Sequence, residues 1–231
     1  ATAPEWVNSP QSLMTAAGDV LYASGANTLA KLAKGSDDEV LTLASGVPSW
    51  AAAGGGAWNW LQTVTASDSA TVEVGTSSLF TSTYEVYKIF FNDVMPETDS
   101  QTGHLRVLIG DAVKSDAYYI RLTMTTYSGG TGWSNTVSHT DTKLFKFFGT
   151  SIGNATGEGA RGEITIYNPA ATGYTLINTC NANVDASKSA TLTTCLGFYG
   201  NSTAAVTGIQ FYLDADEIAS GTFRLYGLNK S

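Results

Sequence analysis

The sequence predicts a mainly β protein: an N-terminal extended arm and a short repeat stem, followed by an antiparallel β-sandwich of jelly-roll-like type. Three observations support this prediction. From Leu61 onward, apolar and polar residues alternate with a period of two, which is typical of strands with one buried face. Clusters of turn residues separate the alternating runs. Charged residues make up only 14% of the chain and 24 residues are glycine, a composition that favours a β-rich protein over a helical enzyme.

Residues 1–16 are predicted to form an extended arm. Pro4 and Pro10 interrupt regular structure, and Trp6 is the single aromatic residue. Such an arm becomes ordered through contact with another surface, for which Trp6 is the candidate anchor. A frayed terminus fits the same residues.

Residues 17–53 form the predicted repeat stem. The segment from Asp19 to Gly25 (DVLYASG) is echoed by the segment from Glu39 to Gly46 (EVLTLASG). A unit this short lacks the length and layers needed to bury its apolar residues. We therefore expect it to pack on other copies or another chain. The residues predicted to lie at this subunit interface, including two tryptophans just beyond the stem, are Leu21, Leu29, Leu32, Val40, Leu41, Trp50, Trp58 and Trp60.

Local structure within the stem has two interpretations. Leu29 and Leu32 are three residues apart and Gly35 follows, which fits one helical turn closed by a glycine cap. Strand–turn pieces fit the same residues.

Residues 54–60 form a glycine-rich joint with Trp58 and Trp60 at its end. A plain linker fits this composition. A symmetry joint, at which three chains change from an intertwined stem to separate heads, fits it as well. We expect Trp58 and Trp60 to be buried there, because exposed tryptophan pairs are unusual outside binding sites.

Residues 61–231 are predicted to form the jelly-roll-like β-sandwich. The segment from Tyr84 to Phe91 is apolar on both faces, which predicts a central strand or one that faces a neighbouring subunit. The residues predicted to form the apolar faces of the other strands are Leu105, Val107, Ile109, Tyr118, Ile120, Leu122, Met124, Ile164, Ile166, Leu192, Leu196, Phe198, Ile209, Phe211, Leu213, Phe223 and Leu225.

The stem resembles a module found in bacteriophage tail fibres and related virion proteins. The resemblance rests on three pieces of the chain, GDVLYASGANT, LAKLAKGSD and EVLTLASGVPSWA. The sequence departs from the module at Asp38, where glycine is usual. The sandwich segment resembles a β-domain of phage virion proteins through Tyr84–Tyr87, Asn92–Pro96, Arg161–Ile164 and Ser220–Leu228. These resemblances imply a homotrimer on the virion surface, either tail or capsid, whose arm and stem dock on other virion proteins.

The charge of the chain limits the classes of molecule that it is expected to bind. The formal net charge is −8, which argues against nucleic acid because phosphate binding requires a basic face. The sequence has no apolar run long enough to span a bilayer, so no membrane insertion is expected.

The sequence predicts no catalytic residues, no metal site and no cofactor. Its two histidines, His104 and His139, are interpreted as solvated turn residues. No nucleophile elbow, zinc motif or calcium loop is present. Asp214, Asp216 and Glu217 form an acidic corner, with a solvated turn as the default interpretation and a calcium site as the alternative. Five other carboxylates lie in turns without a pairing motif: Glu158, Glu163, Asp111, Asp116 and Asp185.

The two cysteines, Cys180 and Cys195, lie on adjacent predicted strands. A disulfide is geometrically conceivable, and two small buried thiols fit the sequence as well.

A glycan site is predicted in the segment 127–139 (YSGGTGWSNTVSH). Its candidate ligand-binding residues are Tyr127, Trp133, Asn135 and His139, since aromatic faces stack on sugars while polar groups bind hydroxyls. The alternative is that Trp133 folds back onto the core and the glycines only turn the chain.

The sequence as a whole predicts a non-enzymatic phage virion protein, a short trimeric fibre, spike or surface decoration that contacts host-surface glycan. The first alternative is a capsid decoration or cement protein that stabilises the head without binding a receptor. The second is a glycan-degrading enzyme.

Overall fold

The computed structural model describes residues 10–53, 56–116, 119–127, 133–142, 145–146 and 151–230. The chain divides into two compact units, one ending at Gly56 and the other beginning at Ala57. This division falls inside the predicted joint. Trp58 and Trp60 belong to the first strand of the second unit.

The described part of the first unit, residues 10–53 and 56, contains one helical turn and two β-hairpins. Its elements are α1 (Pro10–Leu13), β1 (Val20–Gly25), β2 (Thr28–Leu32), β3 (Glu39–Ala44) and β4 (Val47–Ala52). Strand β1 pairs with β2 and β3 with β4, so each copy of the sequence repeat opens one hairpin. Leu29 and Leu32 lie on a strand, and the helical-turn interpretation of that segment is wrong. The arm, predicted to be extended, instead contains α1, and residues 1–9 lie outside the described residues.

Left-handed backbone at the turns explains how the hairpins close. Ser45 and Gly46 join β3 to β4 with φ of 52° and 84°, the signs that a two-residue type I′ turn requires. Asp38, which replaces the usual glycine of the resembling module, adopts φ of 67° just before β3. Because aspartate tolerates this region better than most residues, the turn is kept without the glycine.

Asp19 ties the start of the first hairpin to its end. Its carboxylate accepts hydrogen bonds from the backbone N–H groups of Thr15 and Ala16, both at 2.9 Å, and lies 3.3 Å from the Lys31 ammonium. These contacts, led by the Thr15 N–H, lower the pKa of Asp19 to about 2.

The second unit is a two-sheet sandwich. Its strands are β5 (Trp58–Ser69), β6 (Thr71–Val74), β7 (Tyr84–Pro96), β8 (Gly103–Ile109), β9 (Ala112–Val113), β10 (Tyr119–Tyr127), β11 (Trp133–Asp141), β12 (Phe145–Lys146), β13 (Gly159–Tyr167), β14 (Ile177–Val184), β15 (Ala190–Tyr199), β16 (Gly208–Leu213) and β17 (Ile218–Asn229). The large sheet has the order β11-β10-β15-β14-β13-β7-β17-β5, and the small sheet has the order β12-β8-β16-β6 with β9 beside β8.

The strand order is that of a jelly roll. Strands β5, β6, β7 and β8 alternate between the two sheets, as do β12 and β13 and then β16 and β17. The first strand of the sandwich, β5, pairs with the last, β17. The predicted mainly β, jelly-roll-like fold is therefore confirmed, with β14, β15, β10 and β11 added to one side of the large sheet.

An aromatic layer joins the two sheets. Phe211 of the small sheet packs on Phe223 of the large sheet with ring centroids 4.7 Å apart, and Phe91 lies 6.3 Å from Phe223. All three side chains are fully buried. Phe91 belongs to β7, which pairs with β13 and β17. The prediction of a central strand from Tyr84 to Phe91 is confirmed.

The predicted inward faces are confirmed on most strands but wrong on β10 and β15. Leu122, Met124, Leu192 and Leu196 are 42–49% exposed on the outer face of the large sheet. The inward positions of these two strands instead carry buried polar or small residues, namely Thr123, Thr191, Thr193 and Cys195. The reason is the strand register. Ile164 and Ile166 of β13 point inward, and the residues paired with them across β14, β15 and β10 must point inward as well. Tyr118 lies outside the described residues.

The neighbouring strand β14 continues this polar interior. Thr179, Asn181 and Asn183 point inward and are at most 2% exposed. Their side-chain polar atoms have no hydrogen-bond partner among the described residues. None of the described helices is long and apolar enough to cross a membrane.

Phe223→Ala is predicted to lower the free energy of unfolding by about 3–5 kcal/mol, because it leaves a cavity between two rings. Urea unfolding followed by tryptophan fluorescence measures this change. Arg224→Ala, on the outer face of the same strand, is the matched control and should cost far less. Equal losses for the two variants would contradict the assignment of faces on β17.

Candidate functional site

The predicted glycan-binding residues lie at a strand end and along the strand that follows. Tyr127 is the last residue of β10, while Trp133, Asn135 and His139 occupy alternate positions of β11. Trp133 pairs with Thr126 and Asn135 with Met124. Three of the four thus belong to an edge strand, where the sequence predicted a loop. Residues 128–132, which carry the glycines, lie outside the described residues, as do the four side chains.

The predicted interface residues of the stem expose much of their apolar surface in the single chain. The exposed fractions are 49% for Leu29, 42% for Val40 and 50% for Leu41. Leu43, which is not among the predicted interface residues, is 73% exposed. It lies two residues from Leu41, so alternation along β3 could have predicted that it shares the face of Leu41. Leu21 and Leu32 are half-buried.

Part of the Trp50 side chain is in contact with other residues of the first unit. Its indole N–H donates to the carbonyl oxygen of Ala33 at 2.6 Å. Its ring lies so close to Gly35 that a Cβ there would stand 2.7 Å from it. Gly35 therefore makes room for the ring, and only the remaining face of Trp50 is free for another chain.

The two tryptophans of β5 have different surroundings. Trp58 is half-buried, and the Lys88 ammonium lies 5.7 Å from the centroid of its ring. Trp60 is 60% exposed in the single chain, and its indole N–H donates to Thr63 at 3.0 Å. The contacts within the second unit leave Trp60 exposed, and the prediction of burial at a joint stays a prediction.

A second exposed apolar surface lies on the outer face of the large sheet. None of the described residues that form it is charged: they are Leu122, Met124, Tyr167, Leu192 and Leu196, with Asn178 and Thr194 between them. Monomeric proteins rarely leave contiguous aliphatic surface of this kind in water.

A polar cleft lies at one end of the sandwich, where β9 leads into β10 and β15 leads into β16. It has a volume of about 430 Å³, within the range of small-ligand sites. Its lining residues are Ile109, Val113, Lys114, Ser115, Asp116, Tyr199, Asn201 and Ser202. Sequence reasoning placed Asp116 among scattered turn carboxylates and missed its neighbours on the other wall.

Asp116 is the centre of this cleft. The Tyr199 hydroxyl lies 2.6 Å from both carboxylate oxygens, and the Asn201 amide donates to Oδ2 at 2.7 Å. The hydrogen bond from Tyr199 is the main cause of a lowered pKa at Asp116, and Asn201 and the Lys114 charge add to it. The carboxylate is therefore ionised at neutral pH and held in one orientation.

The histidine assignment needs correction. His104 is buried on β8 and its Nε2 lies 2.7 Å from Asp214 Oδ1. It is an interior residue tied to the sheet end, not a solvated turn residue. His139 lies on β11, which also differs from the predicted turn.

The acidic corner is held by ordinary turn contacts. Asp214 is the partner of His104, and Asp216 accepts hydrogen bonds from the Thr98 N–H and hydroxyl at 2.6 and 2.8 Å. Across the described part of the chain, no group of three acidic, histidine or cysteine side chains is placed to hold a metal ion.

Each of the other carboxylates considered as catalytic candidates has a bonding partner within the protein. Glu158 accepts from the Ala155 N–H, Asp111 from Ser77, and Asp185 from the N–H groups of Ser187 and Ser189. Glu163 pairs with Lys88 at 2.8 Å.

The cysteines point to opposite faces of the large sheet. Cys180 pairs with Thr194 and Cys195 with Thr179 on adjacent strands, so Cys180 is exposed while Cys195 is buried and both are free. The disulfide is not formed, and the alternative of two buried thiols holds only for Cys195. Burial raises the pKa of Cys195 to about 12.

Comparison with known proteins leaves the site to be judged on its geometry. No family model, no curated protein and no solved structure matches the chain.

Glu97→Gln is predicted to raise the temperature of unfolding at neutral pH. The pKa of Glu97 is raised, first by desolvation and then by the charges of Glu217, Asp216 and Asp68. A raised carboxyl pKa means that this group's contribution to stability is complete below the ordinary pKa of glutamate and is lost as pH rises through the folded-state value. The neutral amide removes that loss.

Calorimetry over a pH series measures this effect. The variant and the wild type should differ at neutral pH and converge in acid that protonates Glu97. Asp37→Asn, at an exposed turn of the first unit, controls for the loss of one negative charge. A Glu97→Gln protein that is less stable at neutral pH would show that the glutamate makes a favourable contact there.

Proposed function

We propose that this chain is a non-enzymatic structural protein of a bacteriophage virion: a short trimeric fibre, spike or surface decoration. In this proposal the arm and stem hold three copies together and attach them to other virion proteins. The jelly roll faces outward and contacts glycan on the host surface. The observation that carries the proposal is the apolar surface that the stem hairpins leave exposed in a single chain.

The stem supports assembly because it cannot complete a core alone. Its two hairpins form separate two-stranded sheets, and such hairpins are marginally stable in water without further packing. Leu41 and Leu43 lie on the same face of β3, with exposed fractions of 50% and 73%. Copies of the same hairpin around an axis would cover these residues.

The sandwich supports the same assembly from a different place. Its outer sheet face carries four aliphatic side chains at 42–49% exposure without a charged neighbour among the residues that line the patch. This surface and the stem are independent in sequence, yet both fit a protein that is surrounded by copies of itself or by other virion proteins.

The engaged carboxylates favour a binding role over hydrolysis. A glycosidase requires two carboxyl groups that face each other across a cleft, whereas each carboxylate considered above is bonded to a protein partner other than a second carboxylate. Binding also gains from a trimer, because three weak sites on one fibre increase avidity without new contacts. The resemblance of the stem to phage fibre modules supplies the virion setting.

Immunogold labelling of purified phage particles, with an antibody to residues 61–231, tests the proposal directly. Label at the tail would support a receptor-binding fibre. Label spread over the head would favour the capsid decoration or cement protein. Particles without label would contradict a virion role altogether.

Leu41→Glu is predicted to break the trimer. Burying an unpaired carboxylate at the subunit contact costs several kcal/mol, so the dissociation constant should rise by at least ~100-fold. Mass photometry and light scattering measure the population of three-chain particles. Ser24→Glu, at an exposed polar position of β1 outside the predicted interface residues, is the charge-matched control and should remain trimeric. A wild-type protein that is monomeric at high concentration would contradict the trimer itself.

A further inference from the structure

The cleft around Asp116 is assembled from two distant segments of the chain. One wall comes from the connection that follows β9 and the other from the connection that follows β15. The two walls meet because Tyr119 and Tyr199 are register partners at the same end of β10 and β15. The cleft is thus fixed by a strand pair of the large sheet.

A buried tyrosine pair supports the carboxylate. The rings of Tyr119 and Tyr199 lie 4.9 Å apart, and both side chains are buried. The Tyr119 hydroxyl donates to the Lys114 carbonyl oxygen at 2.6 Å and accepts from the Val107 N–H at 3.1 Å. Asp116 itself is exposed. A pre-oriented polar group of this kind on a rigid support is what ligand binding requires.

The remaining hydrogen-bonding capacity of the cleft suits hydroxyl groups. A carboxylate can accept about four hydrogen bonds; among the described residues, the Tyr199 hydroxyl, the Asn201 amide and the backbone N–H of Asp116 use part of this capacity at Asp116. The side-chain amide oxygen of Asn201 and the Ser115 hydroxyl lie on the same cleft and form no hydrogen bond with a described residue. Ile109 and Val113 add apolar surface that can lie against the C–H face of a sugar ring.

The charges of the cleft favour a neutral ligand. Lys114 and Asp116 contribute opposite charges on the same wall, so the cleft presents no excess of positive charge to an anion. The chain as a whole carries −8, which repels acidic polysaccharide at a distance.

We propose that this cleft binds a neutral saccharide through two adjacent ring hydroxyl groups, one donating to Asp116 and the other bonded to Asn201. This inference rests on the proposed function, for which it supplies the site and the class of ligand. It places recognition at the end of β10 opposite to the predicted site. Tyr127 and Trp133 lie a strand length away, about 25 Å for nine residues.

Saturation-transfer NMR on the full-length protein tests the proposal. The probes are methyl glycosides of glucose, galactose, mannose, rhamnose and N-acetylglucosamine, together with glucuronic acid as the acidic comparison. We expect at least one neutral glycoside to receive saturation from the wild type at millimolar concentration. Asp116→Ala should weaken its binding at least ~tenfold, since a hydrogen bond to a charged group is lost.

Two further variants separate binding from folding. Ser115→Trp fills the cleft from an exposed position and leaves Asp116 in place, so it should also abolish saturation. Asp185→Ala removes a turn carboxylate at the β14–β15 connection and should bind like the wild type. Trp133→Ala tests the alternative site and should leave the signal unchanged.

The results of these binding experiments can contradict the proposed cleft in several ways. Absence of saturation for every neutral glycoside, preference for glucuronic acid, or equal binding by wild type and Ser115→Trp would each overturn the cleft assignment. Loss of binding in Trp133→Ala alone would move the site to the opposite end of β10. Immunogold labelling is independent of these results, so unlabelled particles would contradict the virion role while sugar binding at the cleft could still stand.

Discussion

The packing of Phe211 on Phe223 is the contact on which the sandwich depends. Phe211 belongs to the small sheet and Phe223 to the large sheet. Along the chain, the turn between β16 and β17 lies between them. Their burial fixes which face of β17 is inward, and β7 takes its register from β17. The inward positions of β13, β14, β15 and β10 then follow one from another across the ladder, because neighbouring strands must point their side chains to the same face at paired positions.

This propagation explains where sequence reasoning succeeded and where it failed. The alternation on β13, β16 and β17 was interpreted correctly, because the apolar residues there coincide with the inward positions set by the core. On β10 and β15 the more apolar set is Leu122, Met124, Leu192 and Leu196, and a period of two gives no information on which set faces inward. The pairing of these strands with β13 through β14 places these four side chains on the outer face. The only local signals were Tyr119 and Cys195, which occupy the opposite phase.

The residues of the candidate cleft could not be predicted as a group from the sequence, for a different reason. Asp116 and Asn201 are brought together by the pairing of Tyr119 with Tyr199, a contact between residues far apart in the chain. No spacing motif can reveal such a pair, and Asp116 therefore looked like one turn carboxylate among several. In the stem the repeat was visible in the chain, because each hairpin forms from residues adjacent in sequence, but the choice between a helical turn and a strand at Leu29 and Leu32 stayed open until the strand pairing was known.

The pairing of the first strand of the sandwich with the last has a mechanical consequence. Ala57 lies where the sandwich begins, and its carbonyl oxygen accepts a hydrogen bond from the N–H of Asn229, at the end of β17. Strand β5 is an edge strand of the large sheet and pairs only with β17 among the described strands. Tension that enters the sandwich through Ala57 is therefore carried first by the β5–β17 ladder. If the protein holds a host cell against a moving particle, this ladder is the element that must resist shear.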